Sequence, residues 1–457
     1  MSAKSETVPT RTRSRPRKAI AAALAAATVP KPAQAPVQKG KRVAKTPQKA
    51  ASAPGRRLDA ALEQAQAKLA IEPPGSNPLL SRVAAYEHIA LVLQGGGALG
   101  AYQAGVVQGL AEAGIQPTWV AGISIGSLHC AIIAGNPPHR RAERLREFWH
   151  RITQPPVLPP TLWEQEPWVS LLPENALRWM APLQSLRALA EGQKGFFVPR
   201  ALPGIGPDQA SVYDTSPLRD TLEELVDFDR LNNGEMRVSV GAVNIRTGNL
   251  EYFDSTEQRL GPEHFMASGA LPPGFPAVRI ADDLYWDGGL VSNTPLTQVL
   301  GGHPHAHTLV FQVDLWSAQG DPPSNLGEVG ERMKDIQYSS RTRAVTDMLE
   351  RAHEQRSILR GLLAQIPQTG RSHDPIRSRV EEMARDKRYN VIHLIYKDKP
   401  YDGQDKDFQF GRATMRAHWN SGLQTVQRTL AHTHWFDLPS AERPFVTHDV
   451  HRQDAPS

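Results

Sequence analysis

The chain has 457 residues, enough to bury a sizeable core and to hold two to three domains. Its formal net charge of +5 conceals a division: residues 1–57 hold fourteen Lys or Arg against one acid, Glu6, while the remainder carries 46 acidic and 38 basic residues. A single cysteine, Cys130, excludes an intrachain disulfide, and no run of about twenty apolar residues is present to span a bilayer as a helix.

The N-terminal stretch is rich in Ala, Pro, Lys and Arg and has no aromatic residue. It cannot bury enough apolar surface to offset ordering entropy, so residues 1–80 are expected to form a disordered basic tail, with one short amphipathic helix at 58–71. Such a tail suits contact with a polyanion (an anionic membrane, a granule surface or nucleic acid) or serves as a solubilising extension. Arg11–Lys18, Ala19–Thr28 and Ala33-Gln34-Ala35 stand in the order of an export signal, but the Ala-rich centre is weakly hydrophobic. The expected location is therefore cytoplasmic, peripheral to a membrane, with export the lesser alternative.

The folded body is expected from near Ser81. Ile89–Leu93 reads as a buried parallel strand running into Gly95-Gly96-Gly97-Ala98-Leu99-Gly100. A helix follows, with Tyr102, Val106, Val107, Leu110 and Ala113 on one face and Gly114 as its stop. Trp119-Val120-Ala121 forms the next strand, expected to end at Ser124 within Gly122-Ile123-Ser124-Ile125-Gly126, and Ser127–Ala134 is helical. This order predicts a doubly wound, mostly parallel α/β sheet flanked by helices. Residues 153–205, with Trp163, Trp168, Leu171, Leu172, Trp179, Met180, Phe196 and Phe197, read as a lid, an acyl pocket, a lipid-facing surface or an extra helical layer. Leu284-Tyr285-Trp286 is a short strand ending at Asp287-Gly288-Gly289. Further on, 325–365 predicts one long amphipathic helical stretch, Asn390–Tyr396 another strand, and Gly411–Leu430 a closing helix. Residues 316–435 are thus expected to be an extension packed on the core, followed by an irregular tail at 436–457.

Gly122–Gly126 has the G-x-S-x-G pattern between a strand and a helix, the context of a nucleophile elbow that lifts a serine oxygen clear of the sheet. The Gly-rich turn admits three readings. The spacing of Gly95, Gly97 and Gly100 fits a dinucleotide fingerprint, but no acid stands at the end of the second strand. A phosphate-cradling loop would need a following Gly-Lys-Ser/Thr, which is absent. Backbone N–H groups at a helix N-terminus, with Ser124 lying 27 residues beyond Gly97, fit an oxyanion hole best. Asp287, at a strand end with two glycines behind it, is either a hairpin turn or an acid reaching across a site.

Together the three motifs resemble those of the patatin-like phospholipases, over roughly residues 87–315. The resemblance implies a three-layer α/β/α serine acyl hydrolase with a Ser–Asp dyad and no cofactor or metal, acting on lipid esters. It makes Ser124 the nucleophile, Asp287 the proton acceptor, Gly95, Gly96, Gly97 and Gly100 the oxyanion motif, and Gly122, Gly126, Gly288 and Gly289 the supporting glycines. Ala267–Pro272 is also similar to the family, and Ser127 stands where many members carry alanine. The C-terminal extension resembles one found in a bacterial subgroup. A carboxylate is a weak base for an alcohol, which suits esters better than amides. Two rival readings remain: a Ser–Asp–His triad drawing on His303, His305 or His307, a cluster that also suggests a metal site, and a non-catalytic protein tethered through the basic tail to lipid, DNA or a granule.

Overall fold

The computed structural model describes residues 77–153, 189–202, 204–301, 306–340, 342–366, 375–385, 387–397 and 406–450. The tail expected over most of 1–80, its helix at 58–71, most of the 153–205 insertion, and His303 and His305 lie outside them. In chain order the elements are α1 (Pro78–Val83), β1 (His88–Leu93), α2 (Ala101–Glu112), β2 (Trp119–Gly122), α3 (Ile125–Ala134) and α4 (Arg141–Ile152). Next come β3 (Val198–Pro199), β4 (Tyr213–Asp214), α5 (Ser216–Leu225), α6 (Phe228–Leu231), β5 (Arg237–Asn244), β6 (Leu250–Asp254) and α7 (Pro262–Ser268). They are followed by β7 (Val278–Ile280), β8 (Asp283–Asp287), α8 (Leu296–Gly301), β9 (Thr308–Asp314), α9 (Leu326–Tyr338) and α10 (Thr342–Gln365). The last are α11 (Pro375–Met383), β10 (Tyr389–Ile395), α12 (Arg412–Leu430) and β11 (Phe445–Asp449).

One sheet organises the body, in the order β11-β10-β9-β1-β2-β5-β8-β7, with β6 also on β5. From β11 to β5 every pairing is parallel, whereas β6, β7 and β8 join antiparallel. The parallel strands are apolar on both faces because helices cover both. Ala90 and Val92 of β1 face a cluster with Leu296, Val299 and Leu300 of α8, while Leu91 and Leu93 face the larger core with α2, α3 and α4. α4 buries Leu145, Phe148, Trp149 and Ile152, the stripe expected of a one-sided helix. α1 starts within the stretch read as tail: Asn77 caps it by accepting from the Leu79 N–H, Pro78 opens it, and Leu79 and Val83 are buried.

The C-terminal extension is part of this architecture. β10 pairs with β9 along its whole length, and α12 lies on α2. Those two helices meet backbone to backbone: a Cβ at Gly105 would stand 1.9 Å from the Trp419 carbonyl oxygen, and one at Gly422 would stand 2.0 Å from that of Tyr102. The single stretch expected over 325–365 is instead two helices, because the backbone at Ser339 turns extended at the end of α9. Its apolar face is only partly packed: Val345 meets the α8 cluster, whereas Met333, Ile336 and Met348 are exposed. Among the described residues no helix is long and apolar enough to cross a membrane.

Candidate active site

The sheet order reverses at β1, and in open α/β sheets the crevice beyond the carboxyl ends of the strands at such a point is where ligands bind. The turn Gly95–Gly100 follows β1, the elbow follows β2, and Leu315 and Trp316 follow β9.

At the elbow the strand stops at Gly122, two residues earlier than expected, and Ser124 takes φ 54°, ψ −124°. An L-residue holds such a backbone only where its surroundings impose it. They do so closely: a Cβ at Gly122 would meet the Gly126 carbonyl at 2.5 Å, and one at Gly126 would meet the Leu93 carbonyl oxygen at 2.3 Å. The Ser124 N–H donates to the carbonyl and hydroxyl oxygens of Ser268, at 3.1 and 3.0 Å, and the Ser268 hydroxyl donates to the Gly241 carbonyl at 2.7 Å. The stretch Ala267–Pro272 thus buttresses the elbow. Ser127 also has a role there, donating to the Ser124 carbonyl at 2.6 Å.

Asp287 arrives at the end of β8, which runs antiparallel to β5. β2 pairs with β5 so that Gly122 is level with Val240, and β8 pairs with β5 so that Asp287 is level with Ala242. Asp287 therefore stops two residues beyond the end of β2, at the height of Ser124. Its carboxylate is buried, accepts from the Gly289 N–H at 2.7 Å, and takes a hydrogen bond from the Ser124 hydroxyl. Burial raises its pKa from 3.8 to about 6, and those two hydrogen bonds oppose the rise. Gly288 lets β8 approach β5, since a Cβ there would meet the Gly241 carbonyl oxygen at 2.6 Å.

In the Gly-rich turn, Gly97–Gly100 forms a single 3-10 turn that leads into α2. Gly97 and Ala98 occupy its start, where N–H groups have no acceptor within the turn, and Gly97 needs a positive φ of 54°. Gly100 stands apart from Gly95, Gly96 and Gly97 in its surroundings. It packs against Ile125 and Trp149, and it is absent from the residues lining the cavity.

Behind the turn lies a hydrogen-bond network that sequence reading missed. Gln94, fully buried, accepts from the N–H groups of Leu315 and Trp316 at 2.6 and 3.0 Å and donates to Thr294 Oγ1 and the Tyr338 carbonyl. Gln103 donates to the Gln94 carbonyl and meets His129 Nδ1, while Trp149 Nε1 donates to His129 Nε2. Burial lowers the His129 pKa to about 3, so it remains a neutral relay. Asn293 and Trp316 both donate to the Gly95 carbonyl, at 3.0 and 2.8 Å.

These elements line a partly open cavity of about 90 Å³. Its polar lining is Gly95, Gly96, Gly97, Ser124, Asp287, Gly289 and Asn293, with the Tyr338 side, and its apolar wall includes Leu271, Phe275, Phe196, Phe197, Phe408 and Phe410. Among the described residues, none that lines the cavity is a histidine. His264 lies against Phe253 and Gly261, and His307 Nδ1 accepts from the Arg388 N–H. Among the described residues no cluster of His, Cys, Asp or Glu is arranged to hold a metal ion.

An α/β sheet with a strained serine after a parallel strand, facing a buried carboxylate in an apolar cavity, defines a protein of the serine-hydrolase type. Two family models match the chain: patatin-like phospholipase over residues 91–300, and patatin phospholipase (a domain of unknown function, DUF3734) over residues 336–442. The chain belongs to the patatin-like phospholipases, and it is a lipid acyl hydrolase. Among solved structures it is similar to the crystal structure of VipD from Legionella pneumophila, at 16% identity over 73% of this chain and 67% of that one, with a TM-score of 0.29. A comparison with curated proteins gives no match.

Proposed function

We propose that Ser124 is the nucleophile and Asp287 its base in a two-residue acyl hydrolase acting on lipid esters. The observation that carries this reading is the meeting of Asp287 with the Ser124 hydroxyl at one level of the sheet, inside an apolar cavity with no histidine among its described lining residues.

In the acylation step the Ser124 oxygen bonds to the acyl carbonyl carbon while its proton passes to the Asp287 carboxylate. The carbonyl oxygen, now negative, is held by N–H groups of the turn beginning at Gly96 and Gly97. Each such donor contributes on the order of a hundredfold or more in rate. As the tetrahedral centre collapses, Asp287 returns the proton to the departing alkoxide and an acyl-serine remains. Water then attacks the acyl carbon, its proton taken by Asp287, and collapse releases the fatty acid and restores the Ser124 hydroxyl. A pKa of about 6 makes Asp287 a better base than an ordinary carboxylate while leaving it ionised at neutral pH. The site needs no cofactor for these steps. The basic tail would add attraction to an anionic lipid surface.

Purified protein should release fatty acid from phospholipid or acylglycerol and react with a fluorophosphonate probe at Ser124. Ser124→Ala should lose both while unfolding at the same temperature. Hydrolysis that persists in Ser124→Ala would remove Ser124 as the nucleophile. Labelling that fails in the wild type would favour a binding role.

A further inference from the structure

The C-terminal extension supplies part of the wall of the catalytic cavity. Residues 406–410 lie within the second family match, far in sequence from Ser124 and Asp287, yet Asp407, Phe408 and Phe410 line the same cavity. The contact with the Gly-rich turn is direct: a Cβ built on Gly97 would stand 2.3 Å from the Asp407 carbonyl oxygen. Phe410 is buried, stacked on Trp149 at 6.4 Å between ring centroids and edge-on to Phe196 at 5.9 Å.

Two sets of ion pairs with α9 hold this segment. Lys406, only 2% exposed, donates to Glu331 at 2.9 Å and to Asp335 at 2.8 Å. One residue further on the polarity is reversed, with Lys334 donating to the Asp407 carboxylate at 2.8 and 3.1 Å. The Lys334 ammonium also stands 5.3 Å from the centre of the Phe408 ring. Crossed pairs of this kind fix register as well as position, because sliding the segment by one residue would bring like charges together.

The space left is small. A cavity of about 90 Å³ falls below the roughly 150 Å³ that admits a benzene molecule in an apolar interior. A short acyl group fits beside Ser124, and the Phe408 and Phe410 rings stand in the wall against which a longer chain would press.

We propose that Phe408 and Phe410 are specificity-determining residues that make the enzyme favour short acyl chains over long ones, and that the α9 ion pairs set the position of this barrier. The proposal rests on the reading of Ser124 as the acyl acceptor. It gives the extension a definite place in the reaction: the far end of the chain closes the acyl pocket.

The test is the ratio of kcat/KM for p-nitrophenyl decanoate to that for p-nitrophenyl butyrate. A methylene that a pocket admits or rejects is worth about tenfold or more, so the wild type should favour butyrate strongly. Phe408→Ala should raise the ratio at least about tenfold, and Phe410→Leu should raise it less, as a milder change at a core position. Lys334→Met should move the ratio in the same direction as Phe408→Ala, and the exchanged pair Lys334→Asp with Asp407→Lys should bring it back toward the wild-type value. A wild type that prefers decanoate would overturn the proposal, as would a ratio unmoved in both Phe408→Ala and Phe410→Leu. Ser124→Ala separates the two claims. If it abolishes hydrolysis while the ratio is unmoved by the Phe variants, only the acyl barrier fails. If it retains hydrolysis, the nucleophile assignment fails.

Discussion

Replacing Asp287 by asparagine should make the protein more stable and nearly inactive, and the stability gain should depend on pH. In the folded protein burial raises the Asp287 pKa from 3.8 to about 6, which means that the fold disfavours the ionised carboxylate. Between those two values the folded chain binds more protons than the unfolded one, so stability falls as pH rises through that window. The penalty is absent well below 3.8. It reaches about half its final size near pH 5, and it levels off at about 3 kcal/mol above pH 6. Asparagine has no charge to desolvate, and its amide oxygen can still accept from the Gly289 N–H and the Ser124 hydroxyl. Allowing for weaker hydrogen bonds to a neutral acceptor, the variant should gain about 1–2 kcal/mol near pH 8 and little near pH 4. Urea unfolding followed by circular dichroism at several pH values measures this directly. Ester hydrolysis should fall by about a thousandfold, since a positioned general base contributes roughly 10²–10⁴. In the wild type kcat/KM should rise with pH through about 6, tracking ionisation of Asp287. A variant that is less stable than wild type at high pH, or a stability difference that does not change with pH, would refute the argument that burial strains this carboxylate.

Two further perturbations probe the surroundings. Gln94→Leu removes the acceptor of the Leu315 and Trp316 N–H groups and should cost about 2–5 kcal/mol in chemical denaturation. By loosening the turn at Gly95 it should also lower kcat more than it raises KM. Gly105→Ala drives a methyl into the Trp419 carbonyl and should cost about 3 kcal/mol or more, whereas Gly361→Ala, exposed in α10 with nothing within 4 Å of the new carbon, should gain about 0.5–1 kcal/mol.

Much of this arrangement was legible in the sequence wherever a physical constraint acts on neighbouring residues. Ile89–Leu93 reads as a buried strand because both its faces are covered, and Gly122 and Gly126 are glycines because a carbonyl stands against each. What stayed hidden depends on residues far apart in the chain. Nothing local distinguishes Gln94 from any surface glutamine, although its partners lie about two hundred residues away or more. Asn293 and Trp316 acquire their roles only once β1 and β9 are side by side. The antiparallel direction of β8 could not be read from the sequence, because a five-residue strand carries no mark of orientation. The spacing of the apolar positions in α9 marks it as amphipathic, yet Met333 and Ile336 are exposed, because periodicity does not say whether a partner exists. Phe408 and Phe410 gave no signal at all, since the acyl cavity they bound is made by the opposite end of the folded chain.

The pairing of β10 with β9 bears on how the protein can be cut. The two family matches divide the chain about two thirds of the way along, which invites expression of residues up to about 316 as a free-standing catalytic unit. The sheet has no seam there. All seven residues of β9 are buried, and removing β10 would leave a core strand with its amide edge open, an arrangement prone to pair with another molecule. The inherited modules and the folding unit thus have different boundaries. On the ribosome, β9 must wait for about eighty further residues to be synthesised before β10 can close that edge, so a nascent chain stalled in this interval would be the species most in need of a chaperone.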